Sequence, residues 1–194
     1  IEEIFANDKD ARVVLSIGHY GNFELFSWIA LGAPSGQVVT TYRALRQPKL
    51  NKLLFQLRAA SGCLYFERRT EGDQLKEAIN NPHIMLGLLA DQNAGDGGLW
   101  LPVFGRETSV SPAPAVLAKR YNCRLFPSAC FRTSAGRWKI ELGPEIPVSE
   151  NGQRRSTEAI TQDIIAIQEK TIRRDPANWF WVHNRWKPRQ EETR

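Results

Sequence analysis

The run Ile84-Met85-Leu86-Gly87-Leu88-Leu89 has no polar side chain at any position. A strand with one wet face alternates apolar and polar residues. A run without alternation therefore reads as a strand covered on both faces, as a central strand of a parallel sheet is. A second apolar run, residues 13–18, reads as a buried strand of the same kind, and 37–42 and 63–66 read as further strands. Amphipathic stretches separate them. Helices are predicted over 22–31, over 48–60 with Pro48 in the first turn, and over 72–79, stopped by Asn81-Pro82. A long Gly-rich loop over 91–114 follows, then a helix over 113–121. Strands over 124–132 and 137–142 are joined at Ser134-Ala135-Gly136, and a last helix runs over 156–174 with Ser156 near its start. This βαβα alternation predicts an α/β fold with a mostly parallel central sheet flanked by helices.

The chain of 194 residues is 42% hydrophobic and 24% charged, enough for one domain whose core needs no metal or disulfide staple. Its three cysteines, Cys63, Cys123 and Cys130, are odd in number and form no C-x-x-C pair. That argues against a secreted disulfide framework and against a structural zinc site, and points to a reducing, cytosol-facing compartment. The longest uncharged run, residues 25–42, contains Gly32, Pro34, Ser35 and Gly36, and reads as helix–turn–strand rather than a bilayer span. A net charge of +5 fits anionic partners in general. Between Tyr42 and Cys63 stand Arg43, Arg46, Lys49, Lys52 and Arg58 with no acidic residue. Such a stretch suits a solvated helix face, an acidic protein, a membrane surface or nucleic acid. No nucleic-acid motif supports the last.

The most suggestive chemistry follows the first strand, in His19-Tyr20-Gly21-Asn22-Phe23-Glu24. Ligands of open α/β sheets bind beyond the carboxyl ends of the strands, where His19 stands. The turn can fold Glu24 back so that its carboxylate accepts a hydrogen bond from one ring nitrogen. That contact would fix the tautomer and stabilise the imidazolium formed on proton uptake. Taken alone, the same residues read more readily as a structural histidine, with Glu24 favouring a helix N-terminus.

The block from Ile17 to Glu24 resembles the His-x4-Asp/Glu motif of glycerolipid acyltransferases, and most closely that of the bacterial lipid A biosynthesis acyltransferases, the lauroyl and myristoyl transferases. Four further blocks agree in order: Thr41-Tyr42-Arg43-Ala44-Leu45 with Pro48-Lys49-Leu50, Leu89-Ala90-Asp91-Gln92-Asn93-Ala94-Gly95, Leu101-Pro102-Val103-Phe104-Gly105-Arg106, and Pro176-Ala177-Asn178-Trp179-Phe180-Trp181-Val182-His183-Asn184-Arg185-Trp186-Lys187. Mycobacterial phosphoinositol-mannoside acyltransferases share much of this pattern.

The resemblance implies O-acyl transfer from an acyl thioester, acyl carrier protein or acyl coenzyme A, to a hydroxyl of a lipid A precursor or related glycolipid. His19 would be the general base and Glu24 its orienting acid, with no acyl-enzyme and no cofactor. Arg43, Arg58, Arg68 and Asp91 would bind substrate, the arginines at phosphate or oxyanion. Asp91 alternatively fixes the Gly-rich loop through local backbone N–H groups. Arg46, Lys49 and Lys52 would dock the acidic carrier. His183 and His83 read as packed structural histidines. The aromatic cluster at 179–186 suits either a core or a membrane interface. Asn93 stands where the family has Asp, which weakens any metal or extra-acid role for that loop. The chain opens at Ile1 with a helix already under way, and we expect one acyltransferase domain over 1–194 without the family's usual N-terminal anchor, working at the cytoplasmic face of the inner membrane. The competing expectation is a non-catalytic module that binds lipid or carrier.

Overall fold

The computed structural model describes residues 2–8, 10–32 and 36–189. Pro34 and Ser35, in the turn expected after the first long helix, lie outside these residues. The elements run α1 (Glu2–Asn7), β1 (Arg12–Ile17), a 3-10 helix (Phe23–Leu31), β2 (Gln37–Tyr42), α2 (Pro48–Ala59), β3 (Leu64–Glu67), α3 (Gly72–Asn80) and β4 (Ile84–Leu89). They continue with β5 (Leu99–Val103), β6 (Arg106–Val110), α4 (Ala113–Tyr121), β7 (Arg124–Ser134), β8 (Arg137–Leu142) and α5 (Thr157–Arg174).

Six strands form one sheet in the order β3-β2-β4-β1-β7-β8. All neighbours are parallel except β8, which turns back against β7 at one edge. The expected α/β class and mostly parallel sheet are therefore present. β4 and β1 lie in the middle, and the missing alternation of Ile84–Leu89 has its explanation in two cores. Val14, Leu86 and Leu125 pack with Ala115, Ile160 and Ile164 under α4 and α5. Val13, Leu15, Ile17 and Met85 pack on the opposite face with Phe5 and Phe26. Burial of these side chains supplies most of the driving force, at roughly 25 cal/mol per Å2 of apolar surface.

Three elements differ from the sequence reading. The helix expected over 22–31 is a 3-10 helix, Phe23–Leu31. Its apolar residues Phe23, Phe26 and Ile29 recur every third position, and three residues per turn aligns them on the core. The expected long loop contains the hairpin β5–β6. Phe104 and Gly105 both take positive φ at its tip, as a two-residue hairpin turn of mirror-image type requires. Leu101, Val103 and Val110 seat the hairpin against Ile165 of α5. A two-strand ladder of Ser149–Glu150 with Gln153–Arg154 also falls outside the expected elements. The start of α5 agrees with expectation, since Ser156 Oγ accepts the Ala159 N–H at 3.0 Å.

Candidate active site

Parallel register builds the centre of the site. Ile17 ends β1 opposite Leu89, the end of β4. His19 and Asp91 each lie two residues beyond that last rung, so the two chains deliver them side by side. Asp91 Oδ1 lies 2.6 Å from His19 Nδ1, and Oδ2 accepts the His19 backbone N–H at 2.9 Å and the Trp179 indole N–H at 2.9 Å. Only 5% of the Asp91 side chain is exposed, against 16% for His19. Burial alone would push the Asp91 carboxyl up. Hydrogen bonds from His19 and Trp179, with the attraction of the imidazole, outweigh it and hold Asp91 below the usual carboxylate range. A proton on Nδ1 facing Asp91 leaves the lone pair of the neutral ring on Nε2.

The turn that follows is shaped by Gly21. Its φ is +57°, and a Cβ there would sit 2.0 Å from the Cys130 carbonyl oxygen. Its N–H reaches Asn178 O at 2.8 Å. Glu24, in the first turn of the 3-10 helix, meets Arg58 of α2 and not His19. The expected Glu24–His19 contact is replaced by a forked ion pair, with Arg58 Nη2 at 2.5 Å from Oε1 and Nε at 3.2 Å from Oε2. Burial works against the Arg58 charge, and Glu24 more than restores it, raising its pKa. Asp91 is likewise corrected. It neither fixes the Gly-rich loop nor lines the cleft in front of His19, because strand register carries it behind the imidazole. Asn93 ties that loop instead, accepting the Gly95 N–H and donating to Arg185 O.

The cleft in front of His19 has a volume of about 360 Å3. Its floor is apolar, formed among others by Leu15, Ile17, Val38 and Met85 of the sheet. Glu24, Arg43, Arg58 and Arg68 stand in its walls with His19. Arg43 and Arg68 follow the ends of β2 and β3. The loops that carry them are drawn together by Glu67, which accepts N–H groups of Arg69 at 2.7 Å, Thr70 at 3.0 Å and Ala44 at 3.5 Å. The first of these bonds lowers the Glu67 pKa most, against the cost of burial. Arg46, Lys49 and Lys52 are exposed and outside the cleft. Arg46 precedes α2, so the three do not share one helical face. Cys63 lines the cleft, but burial pushes its thiol up to about 12.

Sequence reasoning missed Glu67 and Trp179. It also missed the partnership of Asp91 with His19, although both follow an apolar strand at the same offset. His183 is a packed histidine whose Nε2 accepts the Asn93 N–H at 3.0 Å; burial first, then Lys187 and Arg185, lower its pKa. His83 packs against Phe5 in a tilted arrangement, with ring centroids 5.6 Å apart. Trp179 joins a buried cluster with Tyr20, Phe131 and Ile172, while Trp181 is half exposed. Among the described residues, no helix is long and apolar enough to cross a membrane.

Residues 1–188 match the family described as bacterial lipid A biosynthesis acyltransferase. Among curated proteins, the chain is similar to a phosphatidylinositol mannoside acyltransferase of Mycolicibacterium smegmatis, 25% identical over 93% of this chain and 59% of the relative. It is also similar to one of Mycobacterium tuberculosis, 24% identical over 93% of this chain and 56% of the relative. The chain thus spans less than two thirds of the length of these relatives.

Proposed function

The chain belongs to the bacterial lipid A biosynthesis acyltransferase family, and from that premise we propose that it moves a fatty acyl group from a thioester to a hydroxyl of a glycolipid. The observation that carries this reading is a part-buried His19, backed by the buried carboxylate of Asp91, at a cleft with an apolar floor and arginines in its walls. Nε2 takes the proton of the acceptor hydroxyl as its oxygen attacks the thioester carbonyl. Asp91 balances the imidazolium that forms. Collapse of the tetrahedral intermediate breaks the C–S bond, and the departing thiolate recovers the proton from Nε2. A C–O ester bond replaces the thioester and nothing stays on the protein. The high pKa of Cys63 supports direct transfer, since its thiol is kept protonated.

The apolar floor suits the acyl chain, at roughly 0.8 kcal/mol per buried methylene. Arg43, Arg58 and Arg68 suit an anionic headgroup, because a guanidinium fork matches phosphate oxygens. The donor in this reading is acyl carrier protein, docked by Arg46, Lys49 and Lys52, with acyl coenzyme A as the simpler alternative. α2 has no buried residue and exposes Leu50, Leu53 and Leu57 beside these cations, which suits work at an acidic membrane surface such as the cytoplasmic face of an inner membrane. The acceptor is a lipid A precursor. The names of the mycobacterial relatives favour a second reading, a phosphatidylinositol mannoside.

Mass-spectrometric assay of both acceptors, with carrier-bound and coenzyme A donors, tests the proposal. Wild type is expected to acylate one of them, and His19→Ala to lose about 10²–10⁴-fold in rate with unchanged thermal unfolding. A folded His19→Ala protein with the wild-type rate would overturn it. Binding without turnover, equal in both proteins, would instead identify a non-catalytic lipid- or carrier-binding module.

A further inference from the structure

Asp91 has two oxygens and three donors. Oδ1 serves the imidazole, while Oδ2 takes the His19 backbone N–H and the indole N–H of Trp179. A carboxylate held at one oxygen only is free to swing about its Cβ–Cγ bond. Donors at Oδ2 fix its plane and aim Oδ1 at Nδ1. One of those donors comes from a residue 88 positions further along the chain.

The indole is a rigid donor. Trp179 is 8% exposed and its ring meets Phe104, Trp181 and Trp186 at centroid distances of 6.1, 4.5 and 6.3 Å. Its backbone is fastened to the histidine turn itself. Tyr20 and Trp179 form an antiparallel bridge, the Gly21 N–H reaches Asn178 O, and the Phe180 N–H reaches His19 O at 3.0 Å. The same tail grips the other side of the pair. His183 and Arg185 bind the backbone N–H and side chain of Asn93, two residues beyond Asp91. Residues 178–185 therefore span both loops that carry the pair.

We propose that Trp179 is a positioning residue for the His19–Asp91 pair, its indole N–H holding the carboxylate in the orientation from which it serves the imidazole. This rests on the acyl-transfer reading above. The charged and titratable groups around Asp91 are His19, His183 and Arg185, with Glu169 of α5 beside a small space of about 10 Å3, and Tyr20, Glu141 of β8, and Lys170 and Arg174 of α5 around a larger cavity that Asp91 also borders. Arg185 is held by Thr108 Oγ1 and the Ser109 carbonyl rather than by the indole, so removing the indole N–H takes a single donor from Asp91.

The test is Trp179→Phe, together with a chain in which 3-benzothienylalanine replaces Trp179. The second keeps the bicyclic shape and puts sulfur where the N–H was, so packing survives. The expected result for both is a fall of about tenfold in kcat, the weight of one hydrogen bond to a charged group, with little change in donor KM. Protonation of the coupled His19–Asp91 pair sets the acidic limb of the rate–pH profile. That limb should move to higher pH, because a carboxylate that has lost a donor holds the imidazolium more strongly and is itself more readily protonated. Carbon-13 NMR of the Asp91 carboxyl should show the same upward movement without any turnover. A uniform rate loss at every pH with an unmoved carboxyl titration, or no loss at all, would overturn the proposal and leave Trp179 a packing residue. Were wild type to lack transfer activity, the acyl-transfer reading would fail, and the carboxyl titration would still decide whether Trp179 positions Asp91.

Discussion

Glu24 and Arg58 act as one unit. Glu24 is half exposed and two nitrogens of the Arg58 guanidinium engage its carboxylate, so losing either residue breaks the same pair in the cleft wall. Glu24→Ala and Arg58→Ala should each raise the KM for an anionic lipid acceptor, and the double variant should add little to Arg58→Ala alone. A kinetic double-mutant cycle measures this, and simple additivity would separate the two residues. His19 was legible in the sequence because a strand, a turn and a carboxylate lie within a few positions of one another. Its acid partner was not. The nearby Glu24 satisfies the local pattern, whereas Asp91 is 72 positions away and reaches the ring only once β4 pairs with β1. Trp179 was legible as part of an aromatic cluster suited to a core or an interface but not as a donor, since nothing in its neighbours names the group its indole meets.

At the scale of elements, strands and helices with strong periodicity were readable: β2, β4, α4 and β8 begin and end where the pattern predicts. The β5–β6 hairpin was hidden by Pro102 and by a turn without the usual Asn-Gly, and it holds because α5 covers it. The turn between β1 and the 3-10 helix has no slack. Gly21→Ala must adopt a left-handed backbone and clear a carbonyl oxygen at 2.0 Å, so it should destabilise by more than about 3 kcal/mol in denaturant unfolding. The exposed start of α2 gives a different kind of expectation. Reversing Lys49 and Lys52 to Glu should raise KM for carrier-bound donor several-fold and leave acyl coenzyme A nearly unaffected. Equal effects on both donors would show that these cations do not read the carrier.

For the whole molecule, acid is the revealing variable. Hydrogen bonding to Arg174 at the end of α5 draws Glu141 of β8 down to about 2, with Lys139 adding to it. A carboxyl whose folded pKa is depressed stabilises the protein above its ordinary value near 4.5, and that contribution is lost as pH falls towards 2. Asp91 acts in the same direction. Glu141→Gln should therefore narrow the difference in unfolding midpoint between pH 7 and pH 3, and an unchanged difference would show that this pair does not link α5 to the sheet edge. The rung of Ile17 with Leu89 has a consequence in time. A slip of one residue between β1 and β4 would turn Asp91 away from His19, and a correct sheet still lacks Trp179 until the far end of the chain has docked. Contacts so distant along the chain close late. In a refolding experiment, secondary structure should return first and catalysis last, which makes recovered turnover a clock for completion of the fold.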